Sequence, residues 1–126
     1  MGDAPEKWDM EFKRSDRIAD LLQREIADLL FRRVRDPRLA GLTITGVDVS
    51  PDLQNAKIFY CIFGEAGEEE KAGAASGLAK ARSFIRQELG KRVQLRYMPQ
   101  LDFRYDGSFE YGDRIERILK GLRDNE

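Results

Sequence analysis

Apolar residues recur along this chain with two periods, one of a helix and one of a strand. Ile18, Leu21, Leu22, Ile26, Leu29 and Leu30 are spaced as one face of an amphipathic helix. Ser15 stands ahead of them as an N-cap, with Asp16 in the first turn, where the helix dipole favours an anion. Asp36-Pro37 predicts the stop, because a residue before proline is pushed out of the α region. The stretch LTITGVDV (42–49) alternates, but Leu42 and Ile44 have one parity and Val47 and Val49 the other. The phase flips at Gly46, which predicts a β-bulge there. AKIFYCIF (56–63) is apolar on both faces and reads as a central strand buried on both sides, with Cys61 as a small buried hydrophobe.

A second helical stripe follows at Ala74, Leu78, Ala81, Ile85 and Leu89, within residues 71–89. Its first half is rich in alanine and glycine and must pack closely. Its second half is bulkier and basic. That change of composition predicts a kink at Ala81–Ser83, and Gly90 is placed to terminate the helix. Of the alternating stretches VQLRY (93–97) and LDFRY (101–105), the second reads as the core strand, since Pro99 suits a strand start or edge. Asp106-Gly107-Ser108 turns the chain into a last helix carrying Tyr111, Ile115, Ile118, Leu119 and Leu122.

The predicted order is α-β-β-α(kink)α-β-α, an α+β fold with helices packed on one face of a three-stranded mixed sheet. Residues 14–123 form its one domain, after a flexible acidic N-terminal tail at 1–13.

Composition narrows the chemistry. The chain has 126 residues, enough for a core without a disulfide or metal staple. It contains no histidine and one cysteine. Triads built on histidine and the usual zinc sites are therefore impossible, and enzyme readings weaken accordingly. The lone cysteine fits a reducing cytoplasm, and neither a secretory leader nor a membrane span is legible. No cofactor or metal is implied.

A net charge of −1 conceals a segregated distribution. Residues 72–104 hold seven cations against two anions, whereas residues 65–71 hold four glutamates against one lysine. Lys80, Arg82, Arg86, Lys91, Arg92 and Arg96 are the candidate RNA-binding residues. The core consumes Ala81, Ile85 and Leu89, so the cations between them are expected to point outward, where guanidinium forks match phosphate oxygens. Few anions stand within one turn of them. The Arg32-Arg33-Val34-Arg35 cluster is read instead as a complement to the helix dipole. Gly64-Glu65-Ala66-Gly67 spells a G-x-x-G loop, but it is acidic and precedes the helix it would have to interrupt. Tyr97, Phe103, Tyr105, Phe109 and Tyr111 are of the type that stacks bases. Their alternation puts at least Phe103 in the core, and they are not read as a stacking platform.

In order and spacing, the segments FKRSDRIADLLQREIADLL (12–30), RDPRL (35–39), VSPDLQNAKIFY (49–60), SFIRQELGKRVQLRYMPQLDFRYD (83–106) and RIERIL (114–119) resemble the ribosome-binding factor A family. The resemblance covers about residues 12 to 122. It implies a KH-like fold of the type II arrangement, in which an interrupted helix at an Ala-x-Gly element replaces the G-x-x-G turn. The matching positions are Ala81-Arg82-Ser83, with serine where glycine is usual. It also implies a non-enzymatic bacterial factor that binds the free or immature 30S subunit and its 16S rRNA. Such a factor assists processing of the precursor's ends and growth in the cold, as a cytoplasmic monomer. Two other readings stay open: an adaptor whose basic patch docks an acidic protein, and a carboxylate or Mg²⁺ nuclease using Asp102 and Asp106.

Overall fold

The computed structural model describes residues 6–64 and 67–108, with side chains from residue 14 onward. The element order is α1 (Glu6–Arg32), a 3-10 turn (Pro37–Leu39), β1 (Leu42–Val49), β2 (Asn55–Ile62), α2 (Glu68–Arg92) and β3 (Gln100–Tyr105). The last helix expected after Ser108 lies outside the described residues.

In α1, Ile18, Leu22, Ile26 and Leu29 are buried and Leu21 and Leu30 half-buried, as their spacing requires. Ser15 is not an N-cap. The helix begins at Glu6, and Ser15 lies buried inside it. Residues 6–15 contain neither proline nor glycine, so nothing in them breaks a helix. Of the expected tail at 1–13, residues 6–13 are thus the first turns of α1.

The far end also differs. The amides of Arg33 and Val34 both donate to the Leu29 carbonyl, which ends α1 ahead of the proline. Asp36-Pro37 opens the next turn instead of closing the helix. The Asp36 carboxylate accepts from the Arg38 amide at 3.0 Å and caps the 3-10 turn.

The bulge falls where the phase change placed it. Ile44 pairs with Tyr60 and Gly46 with Phe59, so Thr45 is the additional residue. Beyond it Val47 faces Ile58 and Val49 faces Ala56, which returns the flipped parity to the core side. β2 is central, antiparallel to β1 and parallel to β3. The parallel pair needs a crossover, and α2 supplies it. Burial of β2 is not symmetric, however. Ala56, Ile58 and Tyr60 are buried beneath the helices, while on the other face Lys57 is exposed, Phe59 half-buried and only Cys61 buried.

Ala74, Leu78, Ile85 and Leu89 of α2 are buried and Ala81 half-buried. Gly90 does not terminate the helix, which runs to Arg92 and closes with the Val93 amide on the Leu89 carbonyl. Nor does α2 break at Ala81-Arg82-Ser83; it is one α-helix from Glu68 to Arg92 where two joined at a kink were expected. All three residues keep a backbone N–H, and none has the conformational freedom of glycine.

The alanine- and glycine-rich half does pack closely. A Cβ on Gly77 would lie 3.1 Å from both the Asp36 carboxylate and a Leu39 methyl, whereas one on Gly73 would come no nearer than 3.8 Å to Arg38. Gly77→Val is therefore expected to destabilise the fold by about 1–3 kcal/mol through overpacking. Gly73→Ala is expected to stabilise it by about 0.5–1 kcal/mol through helix propensity. Urea unfolding of both variants measures the contrast.

Candidate nucleic-acid interface

The buried stripe of α2 leaves two flanks, one toward α1 and one toward β3. Along the first, α1 and α2 run in opposite senses. Arg92 meets Glu25 and Asp28, Arg33 meets Phe84, and Arg38 meets Ser76. Arg86 lies on the other flank, against the chain leading into β3.

The six sequence candidates separate by what they touch. Arg92 donates to Glu25 at 3.1 Å and to Asp28 at 2.6 Å, and Asp28 also holds Arg32 at 2.7 Å. The hydrogen bond from Arg92, reinforced by Arg32, holds the Asp28 carboxyl below the ordinary carboxylate range. Arg86 donates from Nε to the Pro99 carbonyl at 3.3 Å and from Nη2 to the Met98 carbonyl at 3.0 Å. Lys91 approaches Glu88 at 3.4 Å. Arg96 lies over the Tyr97 ring, 5.6 Å from its centroid. Lys80 and Arg82 are exposed and make no hydrogen bond or ion pair with any described residue. Asp36, held below the ordinary carboxylate range chiefly by its hydrogen bonds with Arg38, feels Lys80 only at longer range.

The expectation of outward-pointing cations without partners is thus corrected for Arg86, which is half-buried and turned onto backbone carbonyls, and for Arg92, which is exposed but paired. The anions that compensate Arg92 come from α1, 67 and 64 residues away in sequence, and not from within a turn of α2. Arg86 answers backbone carbonyls in a segment that forms no strand, a demand no sequence pattern displays. Ala81 is half-buried and Ser83 exposed, both within unbroken helix.

Two features depart from the reading of the sequence, one centred on Phe84, which it did not name, and one on Tyr97, which it named as a possible base-stacker and set aside. Arg33, assigned there to the helix dipole, lies 5.9 Å from the centroid of the Phe84 ring, which is 37% exposed. Phe84 follows Lys80 by four residues and so neighbours it on the helix surface. The signal available was an aromatic residue on a polar flank. Lys80, Phe84 and Arg33 make a strip of cation, ring and cation across the two helices. Such a strip can hold phosphate and stack a base or sugar.

The second feature is Tyr97, which is 72% exposed on a loop and not in a strand. It lines a cleft of about 660 Å³ together with Arg14, Asp52, Gln54 and Arg96. Asp102 and Asp106, the nuclease candidates, are engaged separately. Asp102 pairs with Arg104 at 2.8 Å, and Asp106 accepts from the Thr45 hydroxyl at 2.9 Å.

A family model described as ribosome-binding factor A matches residues 14–119. The chain is 62% identical over 117 residues to ribosome-binding factor A of Syntrophobacter fumaroxidans, covering 93% of this chain and all of the relative. The fold superposes with a TM-score of 0.63 on the crystal structure of ribosome-binding factor A from Thermus thermophilus, at 30% identity, over 72% of this chain and 93% of that one. It also matches a homology model of the T. thermophilus factor fitted into a cryo-EM map of its complex with the 30S subunit. There the TM-score is 0.58 at 28% identity, over 71% of this chain and 91% of that one.

Removing each cation is expected to expose the division between them. Arg86→Ala should cost about 1–3 kcal/mol of stability, because two carbonyls lose a charged donor. Lys80→Ala and Arg82→Ala should each stay within about 0.5 kcal/mol of the parent. Asp28 has a lowered pKa in the fold, so its contribution is complete above the unfolded carboxylate value. That contribution is lost as pH falls through the depressed folded one. Arg92→Gln should therefore lose less stability than the parent on acidification from about pH 5 to about pH 2. Thermal unfolding across that range reads the difference.

Proposed function

The chain belongs to the ribosome-binding factor A family, and from that premise we propose that it is a non-enzymatic maturation factor of the small ribosomal subunit. It binds free or immature 30S subunits through 16S rRNA. In doing so it assists processing of the precursor's ends and growth in the cold. It acts in the cytoplasm as a monomer, with residues 14–123 as the binding unit. Among the described residues no helix is long and apolar enough to cross a membrane.

One observation carries this reading. Lys80 and Arg82 are exposed and form no ion pair among the described residues, while neighbouring cations such as Arg92 and Arg38 are paired. A helix surface that neutralises some cations and leaves one open on each flank, Lys80 toward α1 and Arg82 toward β3, suits a polyanion whose phosphates supply the missing charge. Arg33 over Phe84 extends that surface onto α1. The T. thermophilus relative fitted into a 30S complex supports the choice of partner.

Reversing Lys80 and Arg82 to glutamate should weaken co-sedimentation with immature subunits by at least about tenfold near 0.1 M salt. The slope of log affinity against log salt should flatten by at least about 1.4–1.8, the share of two phosphate contacts. Thermal unfolding should not change. Undiminished subunit binding by this double variant would place the interface elsewhere. A loss of binding without any change in salt slope would favour a protein partner.

A further inference from the structure

The cleft beside Tyr97 lies where the turn of α1 carrying Arg14 and Ile18, the β1–β2 turn and the loop after α2 converge. Its volume of about 660 Å³ is within the range of small-ligand sites, about 300–1,000 Å³. The walls are braced from several directions. Arg86 holds the carbonyls of Met98 and Pro99, and Pro99 is itself buried. The Gln100 amide donates to the Gln54 carbonyl at 2.8 Å, tying that loop to the turn. Within the turn, the Asp52 carboxylate accepts from the Ser50 hydroxyl at 2.6 Å and from the Gln54 amide at 3.1 Å. Leu53 has a φ of 62°, a left-handed conformation that side chains rarely adopt. Strain of that kind concentrates at ligand sites, where the surroundings enforce it.

On this braced frame Tyr97 turns a large ring to solvent, with the Arg96 guanidinium over one face of it. Arg14 is exposed on the facing part of α1 and lines the same cleft. An exposed aromatic ring with one guanidinium over a face and a second in the same cleft is chemistry that suits a nucleotide, because every base has a π face and each is joined to phosphate. Asp52, the one carboxylate among the described residues of the lining, repels phosphate from its own side. Only one of its oxygens serves the turn, which leaves the other to accept a base N–H.

We propose that this cleft captures one unpaired nucleotide of RNA, its base stacked on Tyr97 and its phosphates held by Arg96 and Arg14. The proposal rests on the reading of the chain as an RNA-binding factor and adds a site separate from Lys80 and Arg82. Those two cations give strength that depends on salt; the cleft gives a fixed point for a single-stranded segment.

The test uses the full chain and fluorescein-labelled single-stranded RNA of about eight nucleotides, followed by fluorescence anisotropy. Tyr97→Ala should weaken binding about 10- to 100-fold, and Tyr97→Phe, which keeps the ring, should stay within about twofold of the parent. Thermal unfolding of both should match the parent, since the side chain is exposed. Tyr97→Ala binding as well as the parent, while the Lys80/Arg82 reversal still weakens it, would overturn the cleft and leave the RNA-binding reading standing. No RNA binding by the parent would overturn both. Loss of subunit co-sedimentation in Tyr97→Ala with intact RNA binding would assign the cleft to a ribosomal protein, and so overturn the proposal.

Discussion

Burial of Ala74, Leu78, Ile85 and Leu89 beneath the sheet fixes the rotation of α2 about its own axis. Each of the three larger side chains contributes about 1.5–3 kcal/mol, whereas an exposed ion pair contributes about 0–1 kcal/mol. The stripe therefore decides the orientation, and the charges occupy the directions left over. Lys80, Phe84 and Arg92 fall on the flank toward α1. Arg82 and Arg86, four residues apart, share the flank toward β3. Gly77 takes part in the same constraint, because its missing side chain lets α2 sit against Leu39 and Asp36.

From that rotation follows a division of labour among residues of identical charge. Arg86 uses the fork of its guanidinium on two backbone carbonyls, and Arg92 uses its Nη1 on two carboxylates of α1, so both are engaged within the chain. Lys80 and Arg82 sit where neither α1 nor β3 offers such a group. A count of basic residues in this segment therefore overstates the charge available to a polyanion. The surface that remains is narrower but crosses onto α1 through Arg33 and Phe84.

Local periodicity carried far in the sequence. The stripes of α1 and α2, the bulge next to Gly46 and the central position of β2 were legible because each is a short-range pattern imposed by burial. The misread features have long-range causes. Whether Arg92 is free for a ligand depends on Glu25 and Asp28 in another helix. Whether 93–97 is a strand depends on a neighbouring strand to pair with, and β2 pairs instead with residues 100–105. Alternation at VQLRY suggested a strand that does not form, so the exposure of Tyr97 could not be read from parity. Gly90 has the residue type of a helix end, yet Lys91 and Arg92 continue the helix and the Val93 amide closes it on the Leu89 carbonyl.

The proposed RNA face is tested most directly by hydroxyl radicals released from an Fe-EDTA group tethered to the protein. Ala79→Cys puts the tether beside Lys80 on α2, and Thr43→Cys puts it at the end of β1 away from the Tyr97 cleft, both in a Cys61→Ser background because Thr43 pairs with Cys61; both tether positions are exposed. Bound to immature small subunits, the α2 tether should cut 16S rRNA at a compact set of nucleotides and the β1 tether should cut far less. Stronger cleavage from β1 than from α2 would contradict the assignment of the helical surface as the RNA face.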